Sequence, residues 1–97
     1  MTARAERFVT VHVPAPLRDC CGGTTTLAIS AGSVRGVLDE LERRHPRLHW
    51  NVCDETGALR RHLNVFVNGA NIRDACGLET ALAPGDTVTI LTAVSGG

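Results

Sequence analysis

Leu63-Asn64-Val65-Phe66-Val67-Asn68-Gly69 reads as a strand that runs directly into its own turn. Leu63, Val65 and Val67 point one way and Asn64, Phe66 and Asn68 the other, which is the period of two that a half-buried strand requires. Asn68-Gly69 then supplies two residues that tolerate positive φ, the requirement of a type I′ hairpin turn. A short strand around Asn71 to Arg73 is expected to follow. Further on, Leu78 and Leu82 predict a turn of helix, and Ala83-Pro84-Gly85-Asp86 places proline and glycine where a type II turn needs them. The last strand starts there: in Thr87 to Thr92, Val88 and Ile90 alternate against Thr87, Thr89 and Leu91.

Upstream of Leu63 the pattern changes. Arg47 to Arg61 shows no clear period and predicts a long connection with one irregular turn around Leu48 and Trp50. Before it, Ser33 is a candidate helix N-cap, and Val34, Val37, Leu38 and Leu41 recur on one helical face. Asp39 with Arg43 and Glu40 with Arg44 have the i, i+4 spacing of solvent-side ion pairs. Pro46 disfavours helical geometry in the residue before it, so this helix should stop near His45. Burying its four apolar side chains contributes roughly 6–12 kcal/mol of gross transfer energy, enough to dock the helix on a sheet. Thr24 to Ser30, with Leu27 and Ile29 inward, is a strand preceded by a Gly22-Gly23 loop. Phe8 to Val13 is another, with Val9, Val11 and Val13 on one face and Phe8, Thr10 and His12 on the other; Pro14 and Pro16 end it.

The order is strand, strand, helix, strand, short strand, last strand. One main helix covers one face of a mixed four- to five-stranded sheet, an α+β class compatible with the β-grasp (ubiquitin-like) arrangement and with other small helix-on-sheet folds. The 97 residues, 43% of them hydrophobic, fit a single domain over 1–97 and leave little room for an enzyme cleft.

Ten basic and ten acidic residues cancel, so no net field draws the chain to nucleic acid or an anionic membrane. All the basic residues are arginines, which leaves no lysine amine on which the protein could be conjugated to itself. The charged start Met1 to Arg7 has no apolar core of a secretory leader, no stretch is long enough to span a bilayer, and a cytoplasmic protein is expected. There the four cysteines, Cys20, Cys21, Cys53 and Cys76, are expected as free thiols. Their spacing is neither a CxxC redox site nor a ferredoxin cluster set. His45, His49 and Cys53 have ligand-like spacing, but Pro46 interrupts the helix that would align them; isolated surface histidines account for them, and no metal site is expected. No catalytic triad or phosphate loop is recognisable, and no catalytic residue is proposed.

Val-Asn-Gly at 67–69, Pro-Gly-Asp at 84–86, Val-Thr-Ile-Leu at 88–91 and the final Gly96-Gly97 stand in one order and register. In this the chain resembles the ubiquitin-like sulfur carriers of the ThiS and MoaD group. Leu63 to Arg73, Gly77-Leu78 and Ala93-Val94-Ser95-Gly96-Gly97 are most similar to the longer actinobacterial-type carriers that serve an O-phosphoserine-dependent cysteine synthase. Thr92 stands where such carriers often have proline, which leaves the client enzyme open.

The resemblance implies a β-grasp body with a flexible Gly-Gly tail, residues 93–97, and a chain that is a protein co-substrate rather than an enzyme. An E1-like partner would use Mg-ATP to adenylate the Gly97 carboxylate, sulfide would replace AMP, and the resulting thiocarboxylate would give sulfur to a biosynthetic enzyme. Val94, Ser95, Gly96 and Gly97 would thread the partner's channel. Extended, those four residues reach roughly 13–14 Å, and the two glycines present no Cβ to a narrow tunnel. The chain itself would hold no cofactor and is expected to be monomeric when free. Docking must offset the ordering of the tail, about 1–2 kcal/mol per residue, so a docking surface is required. Phe66 and Leu91, large apolar groups on the face turned from the helix, form the candidate patch, with Arg60, Arg61 and Arg73 at its rim. Three alternatives remain at this point: a small subunit of molybdopterin synthase, a ubiquitin-like modifier joined through Gly97 to target lysines, and a ubiquitin-like interaction module whose tail has no chemistry.

Overall fold

The structure, a computed structural model, describes residues 8–92; the tail residues Val94, Ser95, Gly96 and Gly97 lie outside the described residues. Five strands form one sheet: β1 (Phe8–His12), β2 (Thr26–Ser30), β3 (Leu63–Val67), β4 (Ala70–Asn71) and β5 (Thr87–Thr92). Their order is β2-β1-β5-β3-β4. β1 runs antiparallel to β2 and parallel to β5, with Thr10 opposite Thr87 and His12 opposite Thr89. β3 runs antiparallel to β5, pairing Leu63 with Thr92, Asn64 with Leu91 and Phe66 with Thr89. The sheet is therefore mixed, and the last strand lies at its centre.

Alternation decides which face each strand buries. Val9, Val11, Ile29, Leu63, Val65, Val88 and Ile90 are all 1% exposed or less and face the helix layer. That layer contains α1 (Val34–Arg44), whose buried residues are Val34, Val37, Leu38 and Leu41. Ser33 caps it, its hydroxyl accepting the Gly36 amide at 3.1 Å, which satisfies one of the amides that the first helical turn leaves unpaired. The helix stops at His45 as the following proline demands.

A second helix, α2 (Pro46–Val52), occupies the segment expected to be an irregular connection. Proline is well tolerated at the first helical position, where its missing amide hydrogen would have no partner, so Pro46 ends one helix and opens the next. Leu48 and Val52, four residues apart, are wholly buried. One helical turn of apolar face on seven residues is too short for the period to stand out. A 3₁₀ segment, Ala15–Cys21, packs beside α2 and buries Leu17 and Cys21.

The turns follow the sequence closely. Asn68 at φ 51° and Gly69 at φ 93° make the left-handed pair of a type I′ turn. Gly85 has φ 90°, and the Asp86 amide closes the preceding turn on the Ala83 carbonyl at 3.0 Å. Three details differ. The strand expected at Asn71 to Arg73 is only Ala70–Asn71, with Ile72–Asp74 a 3₁₀ turn. Gly77–Glu79 is likewise 3₁₀, and Leu82 lies beyond it. The expected i, i+4 pairs on α1 give way to one i, i+3 pair, Arg43 with Glu40 at 2.8 Å.

Candidate functional site

The sheet face away from α1 carries Phe8, Thr10 and His12 of β1, Thr87, Thr89 and Leu91 of β5, and Asn64 and Phe66 of β3. Because β5 is central, Phe66 lies opposite Thr89 and Asn64 opposite Leu91. Phe66 and Leu91 are thus diagonal neighbours on one face of adjacent strands, a relation that places residues about 7–8 Å apart, within reach of large side chains. Phe66 is partly buried, and Leu91 is 45% exposed, on a face where water would otherwise select polar groups. The two patch residues read from the sequence therefore come together.

The rim is only partly as expected. Arg73 lies along the patch, its guanidinium donating to the Asn64 side chain and, at 3.2 Å, to the Leu63 carbonyl. Arg60 points elsewhere: its Nε donates to the Trp50 carbonyl of α2 at 3.0 Å, which places it in the helix layer. Two basic groups that the sequence did not single out take its place. His12 and Arg18, with Pro14, Thr89 and Leu91, line a shallow hollow of about 300 Å³ beside the end of β5. Arg18 is held there by its bond to the Val13 carbonyl at 3.0 Å. The outward phase of His12 was legible in the β1 alternation; the 3₁₀ turn that returns Arg18 to the sheet was not.

Position along β5 gives this patch its chemical interest. Leu91 is the penultimate residue of the strand, and Gly97 follows it by six positions in the sequence. Gly97 and the threading residues Gly96, Ser95 and Val94 lie outside the described residues.

The remaining reactive side chains are elsewhere. Cys20, Cys21, Cys53 and Cys76 are all free. Burial, followed by the charge of Asp54, pushes the Cys53 thiol up to about 11; burial likewise raises Cys21. Neither is an activated nucleophile, since it is the thiolate that reacts. His49 is not a surface residue: it is 6% exposed, packs edge-on against Trp50 with ring centroids 4.6 Å apart, and its Nδ1 has no hydrogen-bond partner among the described residues. No group of three potential metal ligands occurs among the described residues, and no helix among them is long and apolar enough to cross a membrane.

A five-stranded mixed sheet whose central last strand leads to the Gly-Gly end, with α1 across one face, defines a ubiquitin-like β-grasp protein. The chain belongs to the ThiS family, whose description it matches over residues 11–97. It is 38% identical over 91 residues to the sulfur carrier protein CysO of Mycobacterium tuberculosis, covering 92% of this chain and 98% of that protein. The CysO chain in the crystal structure of the Amycolatopsis orientalis BexX/CysO complex gives a TM-score of 0.84 at 38% identity, over 92% of this chain and 99% of that one. Small archaeal modifier protein 1 of Haloferax volcanii is 38% identical over 65 residues, 67% of this chain and 70% of that protein.

Proposed function

We propose that this chain carries sulfur as a C-terminal thiocarboxylate on Gly97. The observation that supports it best is the placing of the Phe66–Leu91 patch on β3 and β5, just before the glycine-ended segment. An α-carboxyl group ionises well below neutral pH, so the Gly97 carboxylate needs no base to attack the α-phosphate of ATP. Pyrophosphate leaves, and an acyl-adenylate remains. Sulfide sulfur from a donor then attacks the acyl carbon, AMP departs, and the product is the thiocarboxylate that passes sulfur to an acceptor enzyme. The phosphoryl transfer needs cationic groups or Mg²⁺ from the E1-like partner. This chain contributes the nucleophile and the docking surface and holds no cofactor of its own.

The similarity to named carriers supports this reading, as does the absence of any lysine in the sequence, which makes self-conjugation through lysine impossible. The likeness to small archaeal modifiers favours a second use of the same terminus, isopeptide transfer to lysines of other proteins. Both uses begin with adenylation. Intact mass of the protein from its native host separates them: a carrier shows one oxygen-for-sulfur exchange at its C-terminus, a modifier shows a ladder of heavier conjugates. If one alanine added after Gly97 leaves product formation unchanged in a reconstituted system, the mechanism is wrong.

A further inference from the structure

Behind the sheet, α1, the end of α2, the loop at 55–57 and Leu78 enclose a cleft of about 220 Å³. Its walls carry Asp39 and Glu42 from α1, Glu55 from the loop, the Trp50 indole and His49. Asp39 and Glu42, three positions apart, put like charges on one helix face, an arrangement that opposes the helix. Neither forms an ion pair among the described residues. Arg35 reaches the same cleft but is paired with Glu79 at 2.5 Å. The one other ion pair among the described residues joins Arg43 to Glu40, so Asp39, Glu42 and Glu55 have no cationic partner among those residues.

Two further features point to an occupant. Trp50 is 44% exposed at the cleft, and an indole face attracts cations. His49 lines the same cleft while 6% exposed, and its Nδ1 is buried without a hydrogen-bond partner among the described residues. A buried polar nitrogen left in this state is destabilising, and a neutral imidazole nitrogen can accept a bond from a cationic N–H once the ring adjusts. Size narrows the choice. The volume falls below the ~300–1,000 Å³ usual for organic ligands and cofactors, and the carboxylates are not grouped as metal ligands among the described residues.

We propose that this cleft is a socket for one cationic side chain, arginine or lysine, presented by a partner protein. Carboxylates of Asp39, Glu42 and Glu55 pair with the charge, and the Trp50 ring covers the apolar stem. Since α1 covers the face opposite Phe66 and Leu91, such a partner leaves the open sheet face free and can bind while that face is engaged. The socket does not depend on Gly97 being activated.

Trp50 is the chain's only tryptophan, so its emission reports on this cleft alone. The test is a fluorescence titration of the whole protein with acetyl-arginine-amide, with a five-residue peptide carrying one central arginine between serines, with free arginine and with acetyl-norleucine-amide. Expected are a saturable change with the arginine amide and the peptide, none with norleucine, and binding about twofold to thirtyfold weaker in the Glu42→Gln, Glu55→Gln double variant, the range for two exposed pairs. Both positions are exposed, and an unchanged amide NMR spectrum verifies that the variant is folded. No saturable response up to about 50 mM, where even a millimolar site would be filled, would overturn the proposal. So would an equal response to norleucine or undiminished binding by the variant. Free arginine binding more than tenfold tighter than the peptide would make this a small-molecule site and also overturn it.

Discussion

Replacing Leu91 with serine isolates the docking role of the sheet face, because the side chain is half out of the fold already. A leucine is worth about 1.5–3 kcal/mol when wholly buried. Leu91 is 45% exposed, so a partner that covers it gains the remaining share, about 0.7–1.4 kcal/mol. At 1.4 kcal/mol per factor of ten, the serine variant should bind its activating enzyme about threefold to tenfold more weakly. Docking energy of this kind is present in both ground and transition states, so the loss should fall on KM and leave kcat unchanged. The assay is ATP–pyrophosphate exchange by the E1-like enzyme at varied carrier concentration. Phe8 supplies the control: it lies on the same open face, is 42% exposed, and sits at the opposite end of the sheet from the close of β5. Phe8→Ser should leave KM where it was. An unchanged KM for Leu91→Ser, or an equal rise for Phe8→Ser, refutes a patch centred on Phe66 and Leu91.

Leu48→Ala tests α2 itself: Leu48 is fully buried, so the substitution should cost about 2–5 kcal/mol in urea unfolding followed by Trp50 emission, whereas a residue in an exposed connection would cost less than about 0.5 kcal/mol. Acid should destabilise the fold in a defined direction. Hydrogen bonds from the Thr56 side chain and then its amide hold Asp54 below the usual carboxylate range, and the Ala83 amide, then Asn68, do the same for Asp86. A carboxyl lowered in the folded state stabilises it above the ordinary pKa and loses that contribution as pH falls through the lowered value. Melting temperature should therefore decline below about pH 4, less steeply in Asp54→Asn and Asp86→Asn; a rise on acidification contradicts these bonds. Thiol alkylation at pH 8 should mark exposed Cys76 first and reach Cys53, whose pKa is about 11, only on unfolding; early labelling of Cys53 would mean that the α2 packing opens.

Strands, turns and α1 were legible because each has a strong local cause. Val9, Val11 and Val13 keep strict alternation, Asn68-Gly69 and Pro84-Gly85 have few other uses, and Ser33 precedes four apolar residues at helical spacing. The adjacency of Phe66 and Leu91 was legible for a related reason: each shares the outward phase of its polar neighbours, and only the centrality of β5 was needed to bring them together. α2 was not legible, since Leu48 and Val52 alone state its period and Pro46 reads as a stop as readily as a start. Arg60 and Arg18 show a different limit. Arginine's long side chain is placed by whichever carbonyl it finds, Trp50 in one case and Val13 in the other, and both choices depend on tertiary contacts between segments.

The parallel pairing of β1 with β5 has a mechanical consequence for any enzyme that works on Gly97. With the last strand central, β1 holds it at Thr87 to Thr89 and β3 from Val88 to Thr92, so Leu91, opposite Asn64 of β3, has a fixed position relative to the body. Gly97 lies six positions beyond Leu91, and an extended chain covers at most about 3.3–3.6 Å per residue, or roughly 20–22 Å. A partner seated on Leu91 must therefore keep its reacting centre within that radius of the patch. Lengthening the segment breaks this relation without touching the fold. Two glycines inserted between Thr92 and Ala93 should leave KM for docking nearly unchanged while kcat falls, because the carboxylate is no longer delivered to the nucleotide in a near-attack position. Equal loss in both parameters would show that the inserted residues disturb docking itself, and no loss in either would show that the rigid end of β5 plays no part in positioning Gly97.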